Sequence, residues 1–383
     1  MEGGCSFIPG YVFEDIAALQ DVEKDLKELA QSTLDVAQLK DIEKDLDDIL
    51  TQLDELLRQE QGDRTDQDSA FEAPGLTRKI YSLANAGVGD AKRNTDLAQL
   101  VRHEASPDST EDIAVNKCYE YFGDVYNFFS ELFERNSIDN NGMPLIGVVH
   151  YGTNYANAQW IADKKLIIFG DGFARDSSDA AKPKADHTGY FGNFYDSLDL
   201  MAHEIMHGIT TCVTKVVPGP CETGALVEHI ADVFGIMVKQ HKLQHTVEQA
   251  DWLIGQELIL PELKDMALRS FKSPGTAYIL PNNYGRDKQI AHCDQFKPWA
   301  DPHINSGILN HAFYLAAMEV GGHSWEKLGK IWWKTLTESK IDFSQLKGTW
   351  VPFARKTVEF AQEYGQGVQN AISNAWGSVG IKI

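Results

Sequence analysis

Positive charge is scarce in this chain. Its 35 Lys and Arg face 56 Asp and Glu, leaving −21 at neutral pH. No basic run offers counterion release to a phosphate backbone, so a nucleic-acid partner is not expected. Cysteine is scarcer still: the 5 present are odd in number and lack paired spacings, which argues against a disulfide scaffold and fits a reducing compartment. Nothing approaches the ~18 uncharged apolar residues of a membrane-spanning helix, so no membrane partner is expected either. The opening MEGGCSFIPGYVFEDIA has no basic n-region, and Pro9-Gly10 interrupts its apolar run. The expected location is therefore cytoplasmic, or outside the cell by export without a classical signal peptide. What remains is an ordinary globular composition spread over 383 residues, too many for one compact core.

The acidity is uneven. Residues 14–68 hold 18 acidic and 6 basic residues. DVEKDL at 21–26 returns as DIEKDL at 41–46, and Leu19, Val22, Leu26 and Leu29, then Leu39, Ile42, Leu46, Ile49, Leu53 and Leu56, recur at three- and four-residue steps. That is the stripe of amphipathic helices, with a break near Gln31-Ser32-Thr33. A solvated helical hairpin packed on something larger accounts for it, with a partner-binding role as the alternative. The polar stretch 61–75 reads as a linker. Beyond it, strand-like runs at 146–151 and 166–169 mix with helical patterns. Helical periods then follow at 224–242, 246–258, 306–319 and 325–338, with two more helices before the terminus. The expectation is an α+β chain in three parts: a helical front (1–75), an α/β unit (76–215) and an all-α unit (216–383).

Residues 203–207 read HEIMH. On a helix, His203 and His207 lie one turn apart on one face, where both imidazoles can meet one ion. Glu204 sits about a hundred degrees around from His203, suited to act as general base toward water at the metal. Two satisfied core histidines would be the plain alternative, but GALVEHIADVFG at 224–235 supplies a third ligand. Glu228 and Asp232 share one face of a second helix. Glu228 can complete a two-His, one-Glu zinc site with an open fourth position, and Asp232 can accept the distal N–H of a ligand histidine.

With these motifs the chain resembles the thermolysin-like zinc metalloendopeptidases from about Arg78 to the end. The resemblance rests on RNSIDNNGM (135–143), VVHYGTNYANAQW (148–160), FGDGF (169–173), SLDLMAHEIMHGIT, GALVEHIADVFG, ALRS (267–270), HINSGILNHAFYL (303–315) and AWGSVGI (375–381). Within the family it is most similar to protealysin-like precursors, with SFIPGYVFEDIA as the prosegment opening. The resemblance implies a two-domain fold, an N-terminal α/β unit with an antiparallel sheet and a C-terminal all-α unit, behind an acidic helical prosegment. It implies zinc bound by His203, His207 and Glu228, with Glu204 as base and Asp232 behind a ligand. Asn157 and Ala158 would align an extended peptide or protein substrate by backbone pairing at a sheet edge. Arg269 would grip a carbonyl, and His303 would stabilise the oxyanion. Phe191, Phe194, Leu200 and Leu268 fall where the family lines its S1′ pocket, although ordinary core packing is the stronger explanation of the four. The chain's own prosegment would lie in the cleft, with processing near 61–78.

The chain also departs from that pattern. Twenty residues separate His207 from Glu228, one more than usual, and Val227 replaces an asparagine. No tyrosine stands at the second transition-state donor, leaving Tyr151 or Tyr155 as candidates. The aspartate behind His303 is Asp301 or Asp294. The family's double calcium site would use Asp199, Asp251 and positions here occupied by Lys239, Leu253 and Gln256, and a lysine cannot ligate a hard cation, so that site is expected to be absent. Cys5 could cap the zinc, Cys212 and Cys221 could pair if oxidised, and Cys118 and Cys293 read as structural. The other histidines, His229 among them, read as surface or core. Two rival readings remain: a zinc-binding protein with little activity whose acidic helices bind a partner, and an aminopeptidase using the same ligand set.

Overall fold

The computed structural model describes residues 75–83, 99–152, 155–172, 191–216, 221–259, 263, 265–280, 285–343 and 348–383. The acidic front, its repeat, Cys5 and most of the linker lie outside the described residues. The α/β part starts with β1 (Arg78–Ser82), β2 (Gln99–His103), helix α1 (Ile113–Phe133), β3 (Leu145–Val149), β4 (Ala158–Ile161) and β5 (Leu166–Phe169). Their order in the sheet is β2-β1-β3-β5-β4. The two outer pairs are antiparallel and the two inner pairs parallel, so the expected antiparallel sheet is in fact mixed. Its order leaves β4 at an edge.

α1 covers one face of this sheet. The Asp112 side chain accepts from the amides of Ala114 and Val115 and so starts the helix. Val115, Cys118, Phe122, Val125 and Phe129, spaced three and four apart, are buried along one side. Tyr81, Val148, Tyr151, Ile161, Leu166 and Ile168 form a second, smaller cluster of their own.

The helical part begins with α2 (Leu198–Thr214) and α3 (Cys221–Leu243), followed by β6 (Leu253–Ile254), β7 (Arg269–Ser270), α4 (Pro302–Val320), α5 (Leu328–Glu338), α6 (Trp350–Phe360) and α7 (Gln366–Ser378). α3 is buried from Thr223 to Gln240 on all sides, which marks it as the axis of the domain. Gly235 brings α2 against it: a Cβ there would lie 2.5 Å from the Asp199 carbonyl oxygen. This close crossing sets the distance between the HEIMH motif and Glu228.

The helical period at 246–258 does not produce a helix. Trp252 and Gly255 take left-handed backbone angles (φ 59° and 69°), and the Asp251 side chain accepts from the Leu253 amide. The segment turns, pairs as β6 with β7, and ends in a 3-10 turn at Gln256–Leu258. Val247, Trp252, Ile254 and Leu258 are buried in that irregular path, giving the apolar spacing a second explanation. Among the described residues no helix is long and apolar enough to cross a membrane.

Candidate active site

α2 carries His203, Glu204 and His207 on a helix buried through its first thirteen residues, without proline and without glycine before Gly208. α3 supplies Glu228. The Nε2 atoms of His203 and His207 lie 2.9 Å apart, and Glu228 Oε2 is 3.2 Å from the first and 3.6 Å from the second. One ligand atom from each of the three residues falls within 4.8 Å of the others, and all three residues are buried.

The donor set fits a metal. His203 Nδ1 lies 2.9 Å from Asp232 Oδ1, which favours a proton on Nδ1 and leaves Nε2 bare. A bare nitrogen, a second imidazole and a carboxylate then converge in a dry place, where lone pairs repel unless positive charge sits between them. Two nitrogens and one oxygen are the protein ligands of a catalytic zinc. The charges agree. Against its burial, Asp232 and Glu228 push His203 up to about 9, while His303 and His207 hold Glu228 well below the usual carboxylate range.

Around this cluster stand the other expected residues. Glu204 Oε2 accepts the backbone N–H of Trp160 at 2.8 Å, which ties the expected base to the edge strand β4. Backbone groups of a strand alternate in direction, so Ala158 turns its N–H and C=O to that same outer side. Asn157 does not: its carbonyl accepts from Gly170 on the inner side, so it cannot pair with a substrate backbone through that group, and its side-chain amide donates to the Tyr155 hydroxyl. His303, at the start of α4, has Nδ1 2.8 Å from Asp301 Oδ1 and Nε2 3.0 Å from Glu228. Of the two candidate aspartates, Asp301 is the one beside it; Asp294 faces His292. Arg269 donates Nε and Nη2 to Asp232 at 2.8 and 2.6 Å, so its guanidinium is aimed by the same carboxylate that faces His203.

The apolar candidates are packed. Phe191 bridges to Ile259 and meets Tyr278 edge-on; Phe194 and Leu200 are buried in the main core; Leu268 lies against Gly255. Tyr151 belongs to the second core cluster, where burial pushes its phenol far up, and Tyr155 turns its hydroxyl to Gln159. Neither is brought to the metal cluster by these contacts. Among the described residues, Cys212 and Cys221 are not joined by a disulfide, nor are Cys118 and Cys293.

Lys239 occupies the region of the expected calcium ligands. Its Nζ lies 3.3 Å from Asp199, 3.1 Å from Asp251 and 3.5 Å from Glu257, and it donates to the Leu253 carbonyl. Although burial opposes charge, Asp199, Glu257 and Asp251 hold this amine above the ordinary lysine range. The part played by Glu257, and the backbone of Trp160, were not visible in the sequence: one is an unremarked acid in a misread helix, the other a main-chain group.

Comparison with known proteins agrees with this geometry. The model for the thermolysin metallopeptidase catalytic domain matches residues 60–211, and that for the thermolysin metallopeptidase alpha-helical domain matches residues 220–381. The chain is 40% identical over 306 residues to an extracellular metalloprotease of Pectobacterium carotovorum subsp. carotovorum, covering 78% of this chain and 82% of that one. The chain belongs to the thermolysin metallopeptidase family. This thermolysin-family chain is also 38% identical over 329 residues to Protease PrtS of a Photorhabdus species (strain Az29), covering 84% and 80% of the two. Among solved structures it is similar to the precursor of protealysin, a metalloproteinase from Serratia proteamaculans, with a TM-score of 0.69 and 35% identity, covering 83% of this chain and 91% of that one. It is a zinc metalloendopeptidase with a prosegment, and peptides are its substrate class.

Proposed function

We propose that His203, His207 and Glu228 hold the zinc of this endopeptidase and that Glu204 is its general base. The observation that carries the reading is the convergence of three buried ligand atoms beside a carboxylate anchored on an edge strand. A zinc ion there would supply Lewis acidity, polarising the scissile carbonyl and lowering the pKa of water. The substrate lies extended along the outer side of β4, paired with the Ala158 backbone and held by the Asn157 side chain. Glu204 takes a proton from the attacking water and delivers it to the leaving amine. Arg269, aimed by Asp232, and His303, aimed by Asp301, hold the carbonyl oxygen as negative charge develops. Burial opposes charge on His303, while Glu228 and Asp301 raise its pKa well above that of an ordinary histidine; Asp301 against Nδ1 aims the other ring nitrogen at the site.

Phe191, Phe194, Leu200 and Leu268 build the apolar wall that selects an apolar residue after the scissile bond. Residues 1–75 form the prosegment that fills the cleft until processed near 61–78, ahead of an α/β unit (76–215) and an all-α unit (216–383). The Lys239 ammonium stands where a divalent cation would, so there is no double calcium site. With −21 net charge, nucleic acid is not a partner.

Glu204→Gln tests the assignment of the base. It is expected to keep zinc and lose casein hydrolysis; hydrolysis near the wild-type rate would refute it. For the prosegment, a chain beginning near Leu76 is expected to be more active than the full chain, and equal activity would remove the inhibitory role.

A further inference from the structure

We propose that a one-way chain of hydrogen bonds running from Trp332 through His229 and Asn310 to Asp232 positions the ligand His203, making His229 and Asn310 positioning residues of the metal site. The proposal rests on the zinc reading above for the role of His203 but on separate atoms for everything else.

The direction of the chain follows from one group that has no choice. An indole N–H can only donate. Trp332 Nε1 points at His229 Nε2 at 2.9 Å, so Nε2 must be the bare, accepting nitrogen. The imidazole therefore carries its proton on Nδ1 and donates to Asn310 Oδ1 at 2.9 Å. That fixes which way the amide faces. Asn310 Nδ2 then donates to Asp232 Oδ2, also at 2.9 Å. With Arg269 Nε on the same oxygen and Nη2 on the other, Asp232 is held so that Oδ1 lies 2.9 Å from His203 Nδ1. That charge contact, rather than a hydrogen bond, favours the proton of neutral His203 on Nδ1 and leaves Nε2 to the ligand cluster.

Reversing any link sets like against like. A flipped Asn310 would present its oxygen to the Asp232 carboxylate and its NH2 to the Nδ1–H of His229. Had Trp332 been a group able to accept as well as donate, both histidine tautomers and both amide orientations would have been open.

The members come from four helices: His203 on α2, His229 and Asp232 on α3, Asn310 on α4 and Trp332 on α5. Each is at most 2% exposed, so water does not compete for any link. Phe313, Phe353 and Trp376 pack around the Trp332 ring and hold its N–H in line. The chain thereby registers the helical bundle against a single ligand nitrogen. A set of buried polar groups that merely satisfy one another would not require the directions to agree all the way to the metal cluster.

The test uses the full-length protein loaded with zinc. Asn310→Leu removes the donor to Asp232 at nearly constant volume, and Trp332→Phe removes the obligate donor while keeping an aromatic ring. Leu336→Ala, a buried apolar truncation on α5, serves as a control for general destabilisation. Zinc affinity is measured by competition with a chelator alongside the thermal midpoint, and the His229 ring nitrogens are observed by 15N NMR. The expected results are zinc binding weakened roughly tenfold in Asn310→Leu and by a smaller factor in Trp332→Phe. Leu336→Ala is expected to keep near wild-type affinity at a comparable loss of midpoint, and wild-type His229 to be protonated on Nδ1 alone. Zinc affinity in Asn310→Leu within twofold of wild type would overturn the proposal. So would an equal weakening in Leu336→Ala, or a His229 proton on Nε2. Should Asn310→Leu fail to fold, Trp332→Phe and the NMR signature decide. A wild-type protein that holds no zinc would fault the zinc reading, while the NMR result would still judge the chain of donors.

Discussion

Two charged sites on α2 and α3, each built round a buried carboxylate, solve the same problem in opposite ways. Near the start of α2, Asp199 meets Asp251 and Glu257, and Lys239 of α3 reaches in with its own ammonium. Farther along α2, His203 and His207 meet Glu228 of α3 with their lone pairs facing one another. The first site is complete within the chain. The second has no fixed cation of its own: its histidines can take up a proton, or a metal cation can be brought from outside. Both sit at the crossing that Gly235 permits, and both tie the two helices together. The difference teaches that a cluster of buried ligands asks for a metal only when no side chain supplies the charge.

Breaking the imported half of this comparison has the largest consequence. Glu204→Gln keeps the carboxylate's size but not its basicity, and the rate of peptide cleavage is expected to fall about a thousandfold. Zinc content should remain unchanged, checked by metal analysis of the same preparation. Breaking the built-in half is expected to act on stability instead. Lys239→Met leaves the buried Asp199 without its counter-ion, while the exposed Asp251 and Glu257 turn to water, and should cost about 3 kcal/mol in urea unfolding. Zinc should stay bound, and millimolar calcium should raise the thermal midpoint of the variant but not of the wild type.

The third test asks how neutral the surroundings of the metal cluster are. Burial holds His229 down to about 4, below the ordinary histidine value that it regains on unfolding. A depressed histidine contributes stability that is fully present above about pH 6.5 and is lost as pH falls from there toward the folded value. The loss should reach about 3 kcal/mol at most across that window. It should be flattened in His229→Gln, read from urea midpoints between those pH limits. The smallest effect belongs to the oxyanion side: Asp301→Asn should lower kcat about tenfold with little change in KM, because His303 loses the carboxylate that aims it. A change confined to KM would assign Asp301 to substrate binding instead.

How much of this was legible in the sequence depends on how local each feature is. His203 and His207 lie one helical turn apart, as do Glu228 and Asp232, so the ligand faces could be read directly from residue spacing. The strand at 166–169, the helix holding 306–319 and the helix that occupies 328–338 of the expected 325–338 follow from the same periodicities. The segment 246–258 was misread because left-handed residues at Trp252 and Gly255 let an irregular chain bury apolar groups at helical spacing. Asn157 carried no mark of which way its carbonyl points, since that is set by strand register with Gly170. The sequence did mark Lys239 as wrong for calcium, but not that its amine would collect three carboxylates from separate segments. His229 likewise looked like an ordinary core residue, because Trp332 and Asn310 approach it from about a hundred and about eighty residues away.

The account stands on one zinc held by His203, His207 and Glu228. Its most direct test is the zinc content per chain of the purified full-length protein beside that of Glu228→Ala. One zinc per wild-type chain, and almost none in the variant, is the predicted result. A wild-type protein without zinc, or a variant that keeps it, would contradict the account.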